Sequence, residues 1–237
     1  MSIDLKKYDF LKNKTIESFM LLKHQGHCNN NYLLQTPHQN YLIRKFKLQN
    51  DRKSEFKVQK IVYKKGIGSK PILLDEQKGL MICEFIEGEH REQLNPFLLK
   101  KLSLLLHKLH KIKFRKKITP LKKHFTPKDK KVKKAFILLQ KEPQELRLSH
   151  NDLHQKNILF SKRNIKLIDW EYAGVNDLYF DLVSIIIEFK LNKETEIIFL
   201  KSYFQRKKIN YKKINSYKII YKELWRLWFI KLEKGEL

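Results

Sequence analysis

The sequence predicts an α+β fold in two parts, a small antiparallel β-sheet with one helix followed by a larger, mainly helical body. Three observations carry this expectation. Short strand-like runs crowd the first 87 residues, amphipathic helical patterns fill the rest, and one non-helical stretch, Ser149 to Gly174, breaks into those helices. The parts are read as residues 1–87 and 88–237, with Gly88 as a hinge.

Thr15 to Leu22 and Asn31 to Gln35 read as strands around the turn-rich Gln25 to Asn30, and Asn40 to Lys47 reads as a third strand. Asp51 to Lys65 reads as a helix: Asn50 or Asp51 offers an N-cap, Gly66 stands just past the end, and Glu55, Val58 and Val62 share a face. Ile72 to Leu74 and Leu80 to Phe85 complete the sheet. Beyond the boundary, Asn95 caps and Pro96 opens a helix on which Leu98, Leu102, Leu105, Leu109 and Ile112 recur as an apolar stripe. His107 and His110 on that helix have a spacing that could serve a metal, but no third ligand stands near, so they are read as packing residues. Pro127 to Gln140, Leu178 to Leu191, Glu194 to Gln205 and Ile214 to Lys231 read as further helices.

A chain of 237 residues with 42% apolar content can bury a full core. Charges spread through the first twenty positions leave no secretory apolar segment, and no apolar run reaches bilayer-spanning length, so a soluble, cytoplasmic protein is expected. Cys28 and Cys83 have no metal-ligand spacing and read as packing residues of a reducing compartment. The outlying feature is charge: 51 Lys+Arg against 25 Asp+Glu gives +26. Two readings stay open, attraction to anionic partners or lysine as the default surface residue. Because the lysines scatter through every segment, no specific nucleic-acid partner is expected, and weak association with anionic surfaces is left open. The densest run is Lys122 to Lys134.

The chemistry concentrates in His150-Asn151-Asp152-Leu153-His154-Gln155-Lys156-Asn157 and in Leu167-Ile168-Asp169-Trp170-Glu171. The strand-like runs Asn157 to Phe160 and Ile165 to Ile168 would form a hairpin that brings Asn157 and Asp169 together. Phosphoryl transfer from ATP needs hard oxygen ligands for Mg2+, which Asn157 and Asp169 supply, and a carboxylate beside the acceptor hydroxyl, which Asp152 supplies. His154, two residues on, would reach the transferred group.

With these residues the chain resembles the choline/ethanolamine kinase family, within the aminoglycoside phosphotransferase-like group of the protein kinase-like fold. The resemblance implies a two-lobe molecule, 1–87 binding nucleotide and 88–237 carrying catalysis and substrate. It implies a phosphate loop at Gly26-His27-Cys28-Asn29-Asn30-Asn31-Tyr32, matched in Gly26, Asn29, Asn31 and Tyr32. Arg44 on the third strand resembles the phosphate-holding cation, with Lys45 as the alternative on the other face, and Glu55 resembles its partner. Glu84, Phe85 and Ile86 resemble the adenine-edge segment, and Asp181 the aspartate that ties the catalytic loop to a helix.

For the acceptor, a quaternary ammonium is held by aromatic faces with a carboxylate nearby. Trp225 and Trp228, three apart on the last helix with Tyr221 one turn before, resemble the choline-pocket pair, and Glu171 and Tyr172 follow the metal ligand directly. The expected function is transfer of the ATP γ-phosphate to choline. Ethanolamine, thiamine or an aminoglycoside are alternative acceptors, and a basic nucleic-acid- or membrane-surface-binding protein on the same scaffold is the alternative from another class.

Overall fold

Strand alternation in the first third sorts side chains onto two faces of a five-stranded sheet. The computed structural model describes residues 5–23, 25, 28–48, 51–115, 129–162 and 164–235. The chain divides into two compact units, Met1–Glu87 and Gly88–Leu237.

In the first unit, β1 (Ser18–Leu21), β2 (Asn29–Gln35), β3 (Asn40–Phe46), β4 (Pro71–Asp75) and β5 (Leu80–Glu84) pair antiparallel in the order β1-β2-β3-β5-β4. Tyr41 and Ile43 of β3 point to one face, where they meet Leu34, Leu80 and Ile82. Leu5, Tyr8 and Leu11 cover that cluster from a 3-10 turn (Leu5–Lys7) and the short helix α1 (Asp9–Lys12), an N-terminal layer the sequence did not announce. Arg44 is buried, next along β3 and so on the opposite pleat from Ile43. Arg52, Glu55, Val58, Gln59 and Val62 are the buried residues of α2 (Arg52–Lys64), and Asp51 caps this helix by accepting from the Ser54 amide at 2.9 Å. Gln59 donates to Ser69 at 2.7 Å and to the Cys83 sulfur at 3.1 Å, and burial pushes the Cys83 thiol up to about 12. That cysteine is packing, as expected.

In the second unit α3 (Pro96–His110) packs on α6 (Lys193–Phe204), and α4 (Lys130–Gln140) packs on α7 (Tyr211–Glu233). Between α4 and α6 the chain forms β6 (Leu146–Ser149), β7 (Ile158–Phe160), β8 (Ile165–Leu167), β9 (Gly174–Asp177) and α5 (Tyr179–Glu188). The stripe on α3 differs from expectation: Leu99, Leu102, Leu106 and Leu109 are fully buried, while Leu98 and Leu105 are only partly covered. On so leucine-rich a helix two neighbouring rows satisfy the same period, and tertiary packing chooses between them. Gly88, read from the sequence as a hinge, also meets a steric demand. A Cβ there would stand 3.1 Å from Leu159 Cβ and 3.2 Å from the Phe160 carbonyl oxygen, so glycine answers a close approach where Glu89 bridges Phe160. Gly26 and His27 of the expected phosphate loop, Asn50, and the lysine run before Asp129 lie outside the described residues.

Candidate active site

The second unit's site is built on a hairpin. In the β7–β8 ladder Ile158 faces Leu167, and the Ile168 amide donates to the Asn157 carbonyl at 3.0 Å, so Asn157 lies opposite the residue preceding Asp169. Asp169 and Asn151 both take left-handed backbone conformations, φ 65° and 68°, of the kind that concentrate at functional sites. The Asn157 side-chain amide donates to the Asp152 carbonyl at 2.8 Å and to Asp152 Oδ2 at 2.9 Å. With its NH2 used inside the loop, the Asn157 Oδ1 is left as the atom that can ligate a cation.

Asp152 is crowded by like charge. Burial first, then Asp169 and Glu171, push its carboxyl up to about 7, with Glu188 adding to them and the Asn157 hydrogen bond opposing. His154 Nε2 lies 3.8 Å from Asp152 Oδ2, and its Nδ1 accepts from the Lys156 amide at 3.2 Å. Neutral His154 therefore carries its proton on Nε2, facing Asp152. Burial pushes this imidazole down to about 4, so it is neutral at physiological pH.

The loop is anchored from behind. Asp181 accepts from the backbone amides of His150 and Asn151, each at 2.8 Å, and meets His110 Nε2 at 3.2 Å. This is the tie that the family resemblance implied for Asp181. His110 is 3% exposed and its Nδ1 lies 2.6 Å from the Tyr203 hydroxyl, so it is a structural histidine. Asn151 donates to the Tyr172 carbonyl at 3.0 Å and accepts from Asn176 at 2.8 Å, which fastens the loop to the segment after Asp169. His150 donates from Nε2 to the Ile168 carbonyl at 2.9 Å and packs, tilted by 48°, against buried Trp170 with ring centroids 4.6 Å apart.

The aromatic residues on α7 divide by burial. Trp225 and Trp228 are half-buried, with centroids 5.3 Å apart, and Phe229 beside them is exposed. Tyr221 is 2% exposed and its hydroxyl donates to Glu188 Oε1 at 2.9 Å, so it stands behind the tryptophan pair rather than beside it. Glu171 is half-buried and Tyr172 exposed. Glu188 is a site residue that sequence reading missed. It lies two turns after Asp181 on the same face of α5, its carboxyl is raised by burial, and it acts electrostatically on Asp152. An acid two turns along the stripe from an aspartate already singled out was the available signal.

In the first unit, Arg44 pairs with Glu55 Oε1, while Lys45 reaches the Lys78 carbonyl instead. Of the two, Arg44 is the cation on the Glu55 face. Arg52 holds the second Glu55 oxygen at 2.7 Å and donates to Asn29 Oδ1 at 3.2 Å, so Asn29 is fixed inside the unit. Asn31 faces Arg44 across the β2–β3 ladder, and its Oδ1 is buried with no hydrogen-bond partner among the described residues. The Glu84 amide is used on Lys70 and the Phe85 amide on Asn40, whereas Ile86 makes no backbone hydrogen bond among the described residues.

One amide oxygen and one carboxylate, Asn157 and Asp169, suit Mg2+, which keeps several waters and shares its sphere with phosphate oxygens. Asp169 and Asp152 interact electrostatically, so the donor set sits in the negative field that such an ion would neutralise.

A model of the phosphotransferase enzyme family, APH, matches residues 23–215. The chain belongs to that family. Among curated relatives it is 36% identical over 100 residues to protein LicA of Haemophilus influenzae, covering 38% of each chain. It is 41% identical over 71 residues to the thiamine kinase of Escherichia coli O9:H4, covering 29% of this chain and 25% of that one. These matches span well under half the length of the curated relatives. The crystal structure of choline kinase LicA from Streptococcus pneumoniae superimposes with a TM-score of 0.79 over 95% of this chain and 89% of that one, at 22% identity, which establishes the fold. The α+β, kinase-like reading of this APH chain is thereby shown.

Proposed function

We propose that this APH-family chain is an ATP- and magnesium-dependent kinase that moves the γ-phosphoryl group to the hydroxyl of a small cationic alcohol, with choline the preferred acceptor. The observation that carries this reading is the Asn157 amide clamped on Asp152 while the hairpin register brings Asn157 beside Asp169.

Asp152 orients and deprotonates the acceptor hydroxyl, and its high affinity for a proton suits a base working near neutrality. Asn157 holds the Asp152 carboxylate in one orientation and turns its own oxygen to the metal. Neutral His154 offers its Nε2 proton to the transferred group. Mg2+, when bound with ATP, supplies charge neutralisation at the β- and γ-phosphates. Arg44, kept in place by Glu55, holds the nucleotide phosphates, Asn29 and Asn31 frame the phosphate loop, and Glu84 and Ile86 line the adenine edge.

Support for a cationic acceptor comes from charge and rings together. Glu171 and Glu188 both act on Asp152, and the faces of Trp225 and Trp228, with Tyr172 exposed after Glu171, offer cation–π surface. Tyr221 supports this wall by fixing Glu188. The choline kinase named among the structural relatives fits this chemistry. The thiamine kinase match favours a second acceptor, thiamine, which is also a cationic alcohol.

A Mg2+-ATP turnover assay across choline, ethanolamine, thiamine and an aminoglycoside tests the reading. The highest kcat/KM is expected for choline. Highest turnover with thiamine would move the assignment to the second reading, and no turnover with any alcohol would remove it.

A further inference from the structure

A cavity of about 620 Å³ lies in the second unit, on the far side of Asp181 from the transfer centre. It opens to solvent and is bounded by the C-terminal end of α3 and the residues after it, by β6, and by the C-terminal end of α6. Lys111, Lys113, Arg115, Arg147 and Lys207 line it, and none of the five forms an ion pair among the described residues. One carboxylate, Glu145, also lines it, and that group lies 3.8 Å from Lys213 Nζ. Phe114, Tyr203 and Phe204 supply an apolar side.

Five cations around one concavity repel each other. All five are exposed to solvent, and their summed field draws anions to the concavity. His107 in the wall is held below its usual range by burial, with Lys111, His110 and Lys207 pressing the same way. The volume lies in the range of small-molecule sites rather than of a flat surface for polymers. The cavity is separate from the transfer centre, because His110 lines it while the other edge of that imidazole meets Asp181, which holds the back of the catalytic loop.

We infer that this cavity is a second ligand site for a small organic phosphate, its phosphoryl groups on the Lys113, Arg147 and Lys207 cations and its apolar part against Phe114 and Phe204. The inference does not depend on which alcohol the enzyme phosphorylates. The shared chemistry is a multiply charged phosphate, so inorganic tripolyphosphate is the probe.

Calorimetric titration of the full chain without divalent cations compares three variants with wild type. Lys113→Ala/Arg147→Ala/Lys207→Ala removes the cavity's charge, while Lys64→Ala/Lys133→Ala/Lys222→Ala removes the same charge from exposed positions elsewhere. Lys113→Arg/Lys207→Arg keeps the cavity's charge and guards against misfolding as the cause. The cavity variant is expected to lose at least tenfold in affinity at one site per chain. Wild type, the surface control and the arginine variant should retain that site, and Mg2+-ATP turnover should stay within twofold throughout. Equal weakening in the cavity and surface variants, or a cavity variant that binds as wild type does, would overturn the inference.

Discussion

Two aspartates grip the same loop from opposite faces, and their surroundings differ in kind. Asp181, at the back, is fully buried and receives two backbone amides and an imidazole. Asp152, at the front, receives one side-chain amide and faces three other acids. A carboxylate whose lone pairs are all met by donors fixes structure, whereas one crowded by like charge is held ready to take a proton or to welcome a cation. The protein places strain where chemistry is proposed and satisfaction behind it.

Replacing each residue should separate these roles, and the largest effect belongs to the front. Asp152→Ala should lower kcat by at least about a thousandfold while leaving ATP affinity nearly unchanged and without lowering the melting temperature, as read by steady-state kinetics and calorimetry. Asp181→Ala should act on the fold first. Leaving buried donors unmet costs about 3 kcal/mol, visible as a shift of the denaturation midpoint before any kinetic comparison is made. Trp225→Ala should raise KM for choline roughly tenfold and for ethanolamine less, because a primary ammonium can substitute hydrogen bonds for ring faces. Equal effects on the two acceptors would count against a cage.

The smallest effect sharpens the contrast through pH. Asp152 titrates near 7 in the fold against an ordinary 3.8, so the folded state holds its proton where the unfolded state has lost it. The resulting stability is full below 3.8 and is lost as pH rises toward 7. Asp152→Asn should therefore stabilise the protein at pH 8 without divalent cations, by about 2 kcal/mol once partial exposure of the side chain is allowed for, and by about half of that at pH 5.5. Thermal denaturation at the two pH values reads this directly.

The hairpin and its three polar residues were legible because fixed spacing and strand periodicity coincide there. The five-stranded sheet and α2 were legible for the same reason, with Asp51 and Asn95 marking helix starts that the structure keeps. What escaped had weak or ambiguous periodicity. The β6–β9 pair runs through Arg147, Asn176 and Asp177, whose polarity hides a strand in sequence. The N-terminal cover, Leu5 to Lys12, is too short to show a period. Within the site, Glu188 and Arg52 went unread because each acts through a partner that only the fold supplies, Tyr221 for one and Asn29 with Glu55 for the other. The burial of Tyr221 likewise depends on which face of a 23-residue helix meets α5, and aromatic residues lie on more than one face of that helix.

The central claim is that residues 152, 157 and 169 serve one divalent ion and one alcohol. Electron paramagnetic resonance of Mn2+ binding in the presence of ATP tests it most directly. The account predicts that Asn157→Ala and Asp169→Ala each weaken the ion at least tenfold, while Asp152→Asn binds it within threefold of wild type. Unchanged binding in both of the first two variants would contradict it.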